Sequence, residues 1–449
     1  MQINAAQQQG KVIVGLGKTG LSYVRYLHSQ NENFTVVDSR EDPPGLRELT
    51  VNFPDVKVEL GDFKASTFLN ATELLVSPGI DLREPVIAKA IEQDVPVTGD
   101  INIFAQKVTS PIIAITGSNA KSTVVNLVGA MAIQAGVDTI VAGNIGKPVL
   151  DLLEEHRPKL YVLEISSFQL ETTTMLGAEV ACVLNISADH MDRYDSLTNY
   201  HGAKHRIFQA CKQAVINRDD PLSKPLLPDT VKQWCFGLEE GDINEFGLKE
   251  EMGKIYLAFN HQLLMPVTEV KLNGRHNLSN ALAALAIGHS VGFKMSAMLQ
   301  ALRDFSGLPH RCQWVSEIAG VSYYNDSKGT NVGACKAALV SLGKINNVVL
   351  IAGGQSKGAE FNELRDALRV HGKLLIVFGE DADLILTMLD KVISTAKVTS
   401  IQEAVKLASE HTEASDIVLL SPACASFDRF KNYEERGEAF IEAVEALHS

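Results

Sequence analysis

The chain has 449 residues, 45% of them apolar and 21% charged, with a formal net charge of −13. At a usual domain size of about 150 residues this length predicts three domains, each able to bury its own core, and three domains give two clefts. The acidic balance lacks the basic footprint of a nucleic-acid binder, so no nucleic-acid partner is expected and a phosphorylated ligand has to be held by local groups.

The N-terminal stretch MQINAAQQQGKVIVG has no basic region followed by a long apolar one, and no segment reaches the 18 apolar residues of a membrane span. Secretion and membrane insertion are therefore not expected. Six cysteines (Cys182, Cys211, Cys235, Cys312, Cys335, Cys424) lie outside CxxC pairs, several in apolar runs such as AEVACVLNIS. They read as reduced, buried thiols, which favours the cytoplasm. Cys424 has no adjacent base in sequence and reads as a packing residue.

From residue 11 to about 103, short Val/Ile-rich runs (KVIVGLG, FTVVDS, ELLVSPG) alternate with helix-length segments, the rhythm of a parallel α/β sheet. Gly15-x-Gly17-x-x-Gly20 follows the first run and opens a helix, and Asp38 ends the next run, close to a dinucleotide fingerprint. Alone this motif reads as NAD, and an NAD-dependent dehydrogenase is the alternative enzyme it motivates. Glycines that permit close backbone approach, at a helix N-terminus, serve any nucleotide diphosphate equally well. Ser77-Pro78-Gly79 ends the third run, as a second lip of the same cleft or as an ordinary turn.

A second series opens with PIIAITG at 111–117, runs through KLYVLEISS and AEVACVLNIS, and includes a long Ala/Leu helix near NALAALAIGHS. Between 212 and 272 the pattern is shorter and more polar, as in turns and antiparallel strands. Gly117 to Thr123, GSNAKST, resembles a phosphate loop between a strand and a helix. A strict GxxxxGK[ST] pattern would need glycine at 115 and 120, where Ile115 and Ala120 stand. Its backbone N–H groups can cradle phosphate oxygens, Lys121 can reach the β/γ-phosphates, and Ser122 can ligate Mg²⁺; the competing reading is a solvated helix cap. A nucleotide-gated binding module that uses ATP only as a switch stays open at this point.

Glu164 ends the apolar run YVLE, where an acid is avoided unless it is paired or holds a metal. His190 lies in Asp189-His190-Met191-Asp192 just after another run, and Lys204 opens the helix that should follow. Alone, His190 reads as a structural hydrogen-bonder; with the phosphate loop and Glu164 it admits a dinuclear Mg²⁺ site. The segment Ser306-Gly307-Leu308-Pro309 breaks the second series, and from His310 the runs VSYYNDS, NVVLIAGG, KLLIVFG and DIVLLSPA repeat the pattern a third time. Asn325–Asn331, Gly353–Lys357 and Ser421–Ser426 each follow such a run. Singly they are surface turns; together they form a rim whose lysines and hydroxyls can hold an anionic amino acid.

In this order GSNAKST, GNIG (143–146), LEISSFQLE (163–171), DHMDRY (189–194), GRHNLSNALAA (274–284), GLPHR (307–311), NDSKGTN (325–331), LSPACASFD (420–428) and FKNYEERG (430–437) resemble the Mur ligases, over nearly the whole chain and most closely the glutamate-adding branch. The resemblance implies an α/β protein with a Rossmann-like domain for a uridine diphosphate group (1–103), a central P-loop ATPase-like domain (104–308) and a C-terminal Rossmann-like domain for the incoming amino acid (309–449). It implies a monomer that uses ATP and two Mg²⁺ ions to join D-glutamate to UDP-N-acetylmuramoyl-L-alanine. The folyl-polyglutamate synthases are a related alternative, against which the N-terminal nucleotide domain argues.

The same resemblance puts Asp38, Ser39 and Arg40 on uridine, with Leu16, Thr19, Ser77 and Gly79 beside the phosphates and Asn144 facing the substrate. ATP falls to Gly117, Ser118, Asn119, Ala120, Lys121, Ser122, Thr123, His276, Asn277, Asn280, Arg311 and Asp326. Metal falls to Ser122, Glu164, His190 and a carbamylated Lys204, and the amino acid to Lys328, Thr330, Lys357, Ser426 and Phe427. Lys121, His190 and Lys204 are the implied catalytic set. Ala120 departs from the family's usual glycine; alanine suffices there if its φ is negative, and then Ala120→Gly would cost up to about 1 kcal/mol.

Overall fold

The computed structural model describes residues 10–272, 274–356, 358–389 and 391–448. In the first part the apolar runs become parallel strands Lys11–Val14, Phe34–Asp38 and Glu73–Val76, with Lys57–Leu60 and Val97–Thr98 added at the two edges. The direction of winding reverses between Lys11–Val14 and Glu73–Val76. In an open α/β sheet such a switch point leaves a crevice at the strand ends. The Gly15–Gly20 turn lies on one side of it and Ser77 on the other, and the Ser77 hydroxyl donates to the Gly15 carbonyl at 2.9 Å. Gly20 lets helix Lys18–Ser29 press onto this turn, since a Cβ there would lie 2.0 Å from the Gly15 oxygen.

The central sheet has nine strands. Thr139–Gly143, Leu160–Glu164, Ile112–Thr116, Val180–Val183, Gln213–Asn217 and Lys232–Phe236 are parallel neighbours in that order. The stretch 212–272 is thus only partly antiparallel. Its first two strands extend the parallel sheet, and Glu245–Glu251 joins them before Lys254–Phe259 and Gln262–Pro266 turn back. Strand Gln213–Asn217 is buried along almost its whole length, so its polar ends mislead a reading by composition. Helices Lys121–Gln134 and Arg275–Ser290 pack together over one face, burying Val124, Leu127, Val128, Leu282 and Leu285 completely.

The third sheet runs Gln313–Ile318, Val321–Asn325, Ile417–Leu420, Val348–Gly353, Gly372–Phe378 and Thr395–Lys397, parallel except for the first strand. Its polar loops leave the ends of Val321–Asn325, Val348–Gly353 and Ile417–Leu420, which are adjacent, and one side chain gathers all three. Arg436, on helix Tyr433–Glu445, is fully buried. Its guanidinium donates to the Ser327 hydroxyl and carbonyl at 3.0 and 2.8 Å and to the carbonyls of Cys424, Ala425 and Gly353 at 3.1–3.4 Å. Burial lowers its pKa to about 10, so it stays cationic at neutral pH.

The first two sheets are joined by charged contacts between separate helices and loops. Arg25 meets Asp151 through two hydrogen bonds of 2.8 and 2.7 Å. Arg193 donates to Ile80 O and Glu171 at 2.9 and 2.6 Å, and its guanidinium lies 4.6 Å from the Phe168 ring centre. Since Arg436 is fully buried and its guanidinium bonds carbonyls of three loops, Arg436→Met should lower unfolding free energy by about 3 kcal/mol or more. Urea unfolding monitored on the third domain would read this, and a loss below about 1 kcal/mol would contradict it.

Candidate active site

The carboxyl ends of the central parallel strands point the same way, and the loops that leave them surround a cavity of about 930 Å³ shared with the third domain. Gly117–Ala120 follows Ile112–Thr116 and leads into helix Lys121–Gln134. The N–H groups of that helix's first turn have no acceptor within the helix and line the cavity, a ready anion site. The loop is held from behind by Asn185: its side chain accepts from Asn119 N at 2.8 Å and donates to Asn119 O at 3.2 Å, while its carbonyl accepts from Ser118 N.

Ala120 caps this helix with φ +66°, ψ −4°. The condition under which alanine would suffice here, a negative φ, is not met: Ala120 is left-handed, so it stands in place of glycine at a steric cost of about 1 kcal/mol. His190, His310, Cys312 and Ala423, all near the cavity, are left-handed too, at φ +56°, +61°, +45° and +58°. His310 and Cys312 flank Arg311, and this double kink projects its guanidinium across to the central domain. There Arg311 Nη2 donates to Ser122 Oγ at 2.7 Å.

Ser122 Oγ in turn donates to Glu164 Oε2 at 2.5 Å, and Asn144 Nδ2 donates to Glu164 Oε1 at 3.0 Å. Glu164 is 2% exposed, and both of these hydrogen-bond partners are neutral. A buried carboxylate with neutral partners is a costly arrangement without a cation nearby. The lysines approach from the other side. Lys121 Nζ donates to Gly117 O and Ser118 O at 2.8 and 2.9 Å; Lys204 Nζ donates to the same Gly117 O at 2.8 Å. Burial, then repulsion from Lys121, holds Lys204 well below the usual lysine pKa, and burial lowers Lys121 as well. Lys204 is 1% exposed and packs its amine 4.6 Å from the Tyr200 ring centre.

The same cavity takes in His276, Asn277 and Asn280 from the start of helix Arg275–Ser290. Burial drives His276 down to a pKa of about 4, so its ring is neutral, and its Nδ1 is buried without a hydrogen-bond partner. From the third domain come Asp326, Lys328, Thr330, Ser426 and Phe427. Asp326 accepts from Ser421 Oγ and Cys312 N, and burial raises its pKa to about 6. Lys328 sits 4.1 Å from the Tyr433 ring centre, and burial followed by Arg311 and Lys121 lowers its pKa to about 8. Lys357 lies outside the described residues.

The cavity therefore gathers the residues assigned above to ATP, metal and the amino acid, apart from Gly117, which does not line it, and Lys357, and adds Asn144. Leu16, Thr19, Asp38, Ser39, Arg40, Ser77 and Gly79 are elsewhere, around the switch point of the first sheet. Asp38 is buried and turned inward: it accepts from Leu16 N and from Arg40 N, Nε and Nη2 at 2.7–2.9 Å. Four acceptor positions are thus used within the protein, which leaves none for the ribose contact that a dinucleotide site would ask of it. Sequence reasoning gave no role to Asn185, Asp189, Arg193, Asn331 and Tyr433. Asn185 carried a signal, a polar residue just past an apolar strand, of the kind that singled out Glu164.

Three family descriptions match in succession: "Mur ligase MurD-like, N-terminal domain" over residues 9–99, "Mur ligase middle domain" over 115–288 and "Mur ligase, glutamate ligase domain" over 310–424. The chain belongs to the Mur ligase family. Among curated Mur ligases it is 52% identical to the UDP-N-acetylmuramoylalanine--D-glutamate ligase of Pseudomonas aeruginosa, over 98% of this chain and 99% of that one. It is 50% identical to the protein of the same name from Marinobacter nauticus, over 97% and 98%. Solved Mur ligases share the fold at low identity. The UDP-N-acetylmuramate-alanine ligase of Thermotoga maritima superposes with TM-score 0.58 at 18% identity, over 97% of this chain and 99% of that one. The MurF ligase of Thermotoga maritima, solved with ADP, gives 0.59 at 17%, over 98% and 96%.

The left-handed Ala120 yields a test of opposite sign to the one its sequence suggested. Ala120→Gly should keep activity and raise stability by roughly 0.5–1 kcal/mol, because relief of the left-handed strain outweighs the added freedom of the unfolded chain. A lower melting temperature for the glycine variant would contradict the observed φ.

Proposed function

We propose that this chain is an ATP-dependent ligase that joins the amine of D-glutamate to the L-alanyl carboxylate of UDP-N-acetylmuramoyl-L-alanine, a step of peptidoglycan precursor synthesis. The observation that carries the reaction class is the single cavity in which the phosphate loop, Lys121, Glu164 and Arg311 face the third domain's Lys328, Thr330 and Ser426. The choice of substrates is supported by the relatives' names at about half identity over the full chain. The six cysteines are free, and among the described residues no helix is long and apolar enough to cross a membrane. We place the enzyme in the cytoplasm, as a monomer, since one chain carries every group the reaction uses.

A carboxylate is a poor acyl donor at neutral pH. In the proposed first step its oxygen attacks the γ-phosphorus of ATP, the bond to the β-phosphate oxygen breaks, and ADP leaves an acyl phosphate. Two anions meet in this step, so Lys121 and Arg311 serve to spread the γ-phosphate charge. The D-glutamate amine then attacks the acyl carbon, and the tetrahedral intermediate expels phosphate as the amine loses its proton. Lys328, Thr330, Ser426 and Phe427 would orient the amino acid, and contact between the domains would keep out water, the main competing nucleophile.

Mg²⁺ fits the donor set, because Glu164 is a buried carboxylate with neutral partners and Ser122 adds a second hard oxygen. Ser122, Glu164, His190 and a carbamate on Lys204 would hold two ions, which would supply charge neutralisation of the phosphates. Lys204 is suited to that modification: burial and the neighbouring Lys121 lower its pKa and so favour the neutral amine, the form that captures CO₂ to become an anionic oxygen donor.

Incubation with ATP, Mg²⁺, UDP-N-acetylmuramoyl-L-alanine and a panel of amino acids, read by mass spectrometry, should give one amide product, with D-glutamate, and an equal amount of ADP. A product with another amino acid, or ATP hydrolysis without an amide, would overturn the reading. Lys121→Ala should lower turnover by roughly 10²-fold or more while melting near wild type; activity within tenfold would remove it from the mechanism. Lys204→Arg, which places a fixed positive charge there and cannot form the same carbamate, should be about as inactive as Lys204→Ala. Removal of CO₂ should depress native activity and bicarbonate restore it; near-native turnover of the arginine variant at saturating Mg²⁺ would exclude the carbamate.

A further inference from the structure

Helix Val332–Leu342 of the third domain begins directly after Thr330, with Asn331 as its N-cap. The two ends of the Asn331 amide do different things. Its Oδ1 accepts from Ala334 N at 2.8 Å, which closes the helix cap. Its Nδ2 crosses to the central domain and donates to Asn119 Oδ1 at 3.1 Å and Asp189 Oδ2 at 3.2 Å. Asn119 belongs to the phosphate loop and Asp189 precedes His190. The side chain is 9% exposed. The first turn of the same helix is pressed onto the central domain at Gly333, where a Cβ would lie 2.9 Å from Ser187 Oγ.

We propose that Asn331 is a positioning residue that latches the third domain onto the phosphate loop and so sets the distance between the amino-acid subsite and the acyl phosphate. The proposal rests on the ligase reading above. Only an amide serves both purposes here: the carbonyl end caps the helix that follows Lys328 and Thr330, and the two N–H bonds reach one partner on the loop and one beside His190. Asn119 is itself fixed by Asn185, so the latch closes on a rigid part of the central domain. A shift of the phosphate loop is thereby passed to the start of the helix that carries the amino-acid loop, with no ligand contact from Asn331 itself.

Aspartate and serine both cap helices, so Asn331→Asp and Asn331→Ser should fold and melt within a few degrees of wild type. Neither can donate to Asn119 and Asp189 in the native way, and the aspartate faces Asp189 with like charge. The expected kinetic result is a fall of about tenfold or more in kcat/KM for D-glutamate, with binding of a non-hydrolysable ATP analogue within about threefold of wild type. The expected structural result is a larger radius of gyration by solution X-ray scattering in the presence of that analogue and UDP-N-acetylmuramoyl-L-alanine. The double variant Asn331→Asp/Asp189→Asn reverses donor and acceptor and should recover the compact form, judged by scattering and not by turnover. Unchanged kcat/KM and unchanged radius in Asn331→Asp, or a kinetic loss with no change in radius, would overturn the latch. Scattering and analogue binding need no ligase activity, so wild type that makes no amide would count against the proposed reaction and leave the latch to be judged on its own.

Discussion

The Ser122 hydroxyl has one proton and two lone pairs, and the site is arranged around how they are spent. The proton goes to Glu164 Oε2 at 2.5 Å and a lone pair accepts from Arg311 at 2.7 Å. Through one oxygen the end of the strand Leu160–Glu164, the first turn of the helix after the phosphate loop, and the third domain are brought to a common point. The helix must start at Lys121 for this to hold, which is why the chain tolerates a left-handed alanine immediately before it. Arg311 must arrive from a separate domain, which is why it stands between two further left-handed residues. Strain of this kind gathers where surrounding structure over-determines the backbone, and here it serves to place side chains that a relaxed loop would leave apart.

Around that junction the charges are arranged to be incomplete. Glu164 is buried with neutral partners, two lysine amines share the Gly117 carbonyl, and desolvation works against the cationic form of both. Such a cavity is costly to the folded protein by itself, a cost that the proposed phosphate and metal together would relieve. The cost of keeping it is met elsewhere, by the close-packed helices over the central sheet and by Arg436, a buried cation whose hydrogen bonds tie three loops of the third domain.

Much of this was legible from residues alone, for a physical reason. Apolar runs ended by a glycine, an acid or a serine mark the carboxyl ends of buried parallel strands, where ligands collect, and Gly15, Ser77, Gly117, Glu164 and Asp326 all stand there. What sequence could not show were features defined by another part of the chain. Lys57–Leu60 and Val97–Thr98 are edge strands, too short and too exposed to make an apolar run. Arg436 sits in the charged segment YEERGEAF, which reads as a solvated helix face, and its burial depends on three loops that meet only in the fold. Arg25 and Asp151 are ordinary surface residues until their helices adjoin. The left-handed φ of Ala120 carries no sequence signal because alanine rarely adopts positive φ, and the fingerprint at Asp38 says nothing of Arg40, whose guanidinium hydrogen-bonds that carboxylate. Asn331 stood in a motif already singled out, yet its bonds to Asn119 and Asp189 span two domains.

The claim on which the rest turns is that the carboxylate is activated by direct phosphorylation in this cavity. It is tested most directly by labelling the L-alanyl carboxylate of UDP-N-acetylmuramoyl-L-alanine with ¹⁸O and following the label in the presence of ATP, Mg²⁺ and D-glutamate. If the acyl phosphate forms, the oxygen that attacked the γ-phosphorus leaves with it, and each amide made is matched by one inorganic phosphate carrying one atom of label. Amide formation with unlabelled phosphate would mean that ATP is hydrolysed without touching the carboxylate, and the account of Lys121, Arg311 and the Ser122–Glu164 pair would fail with it.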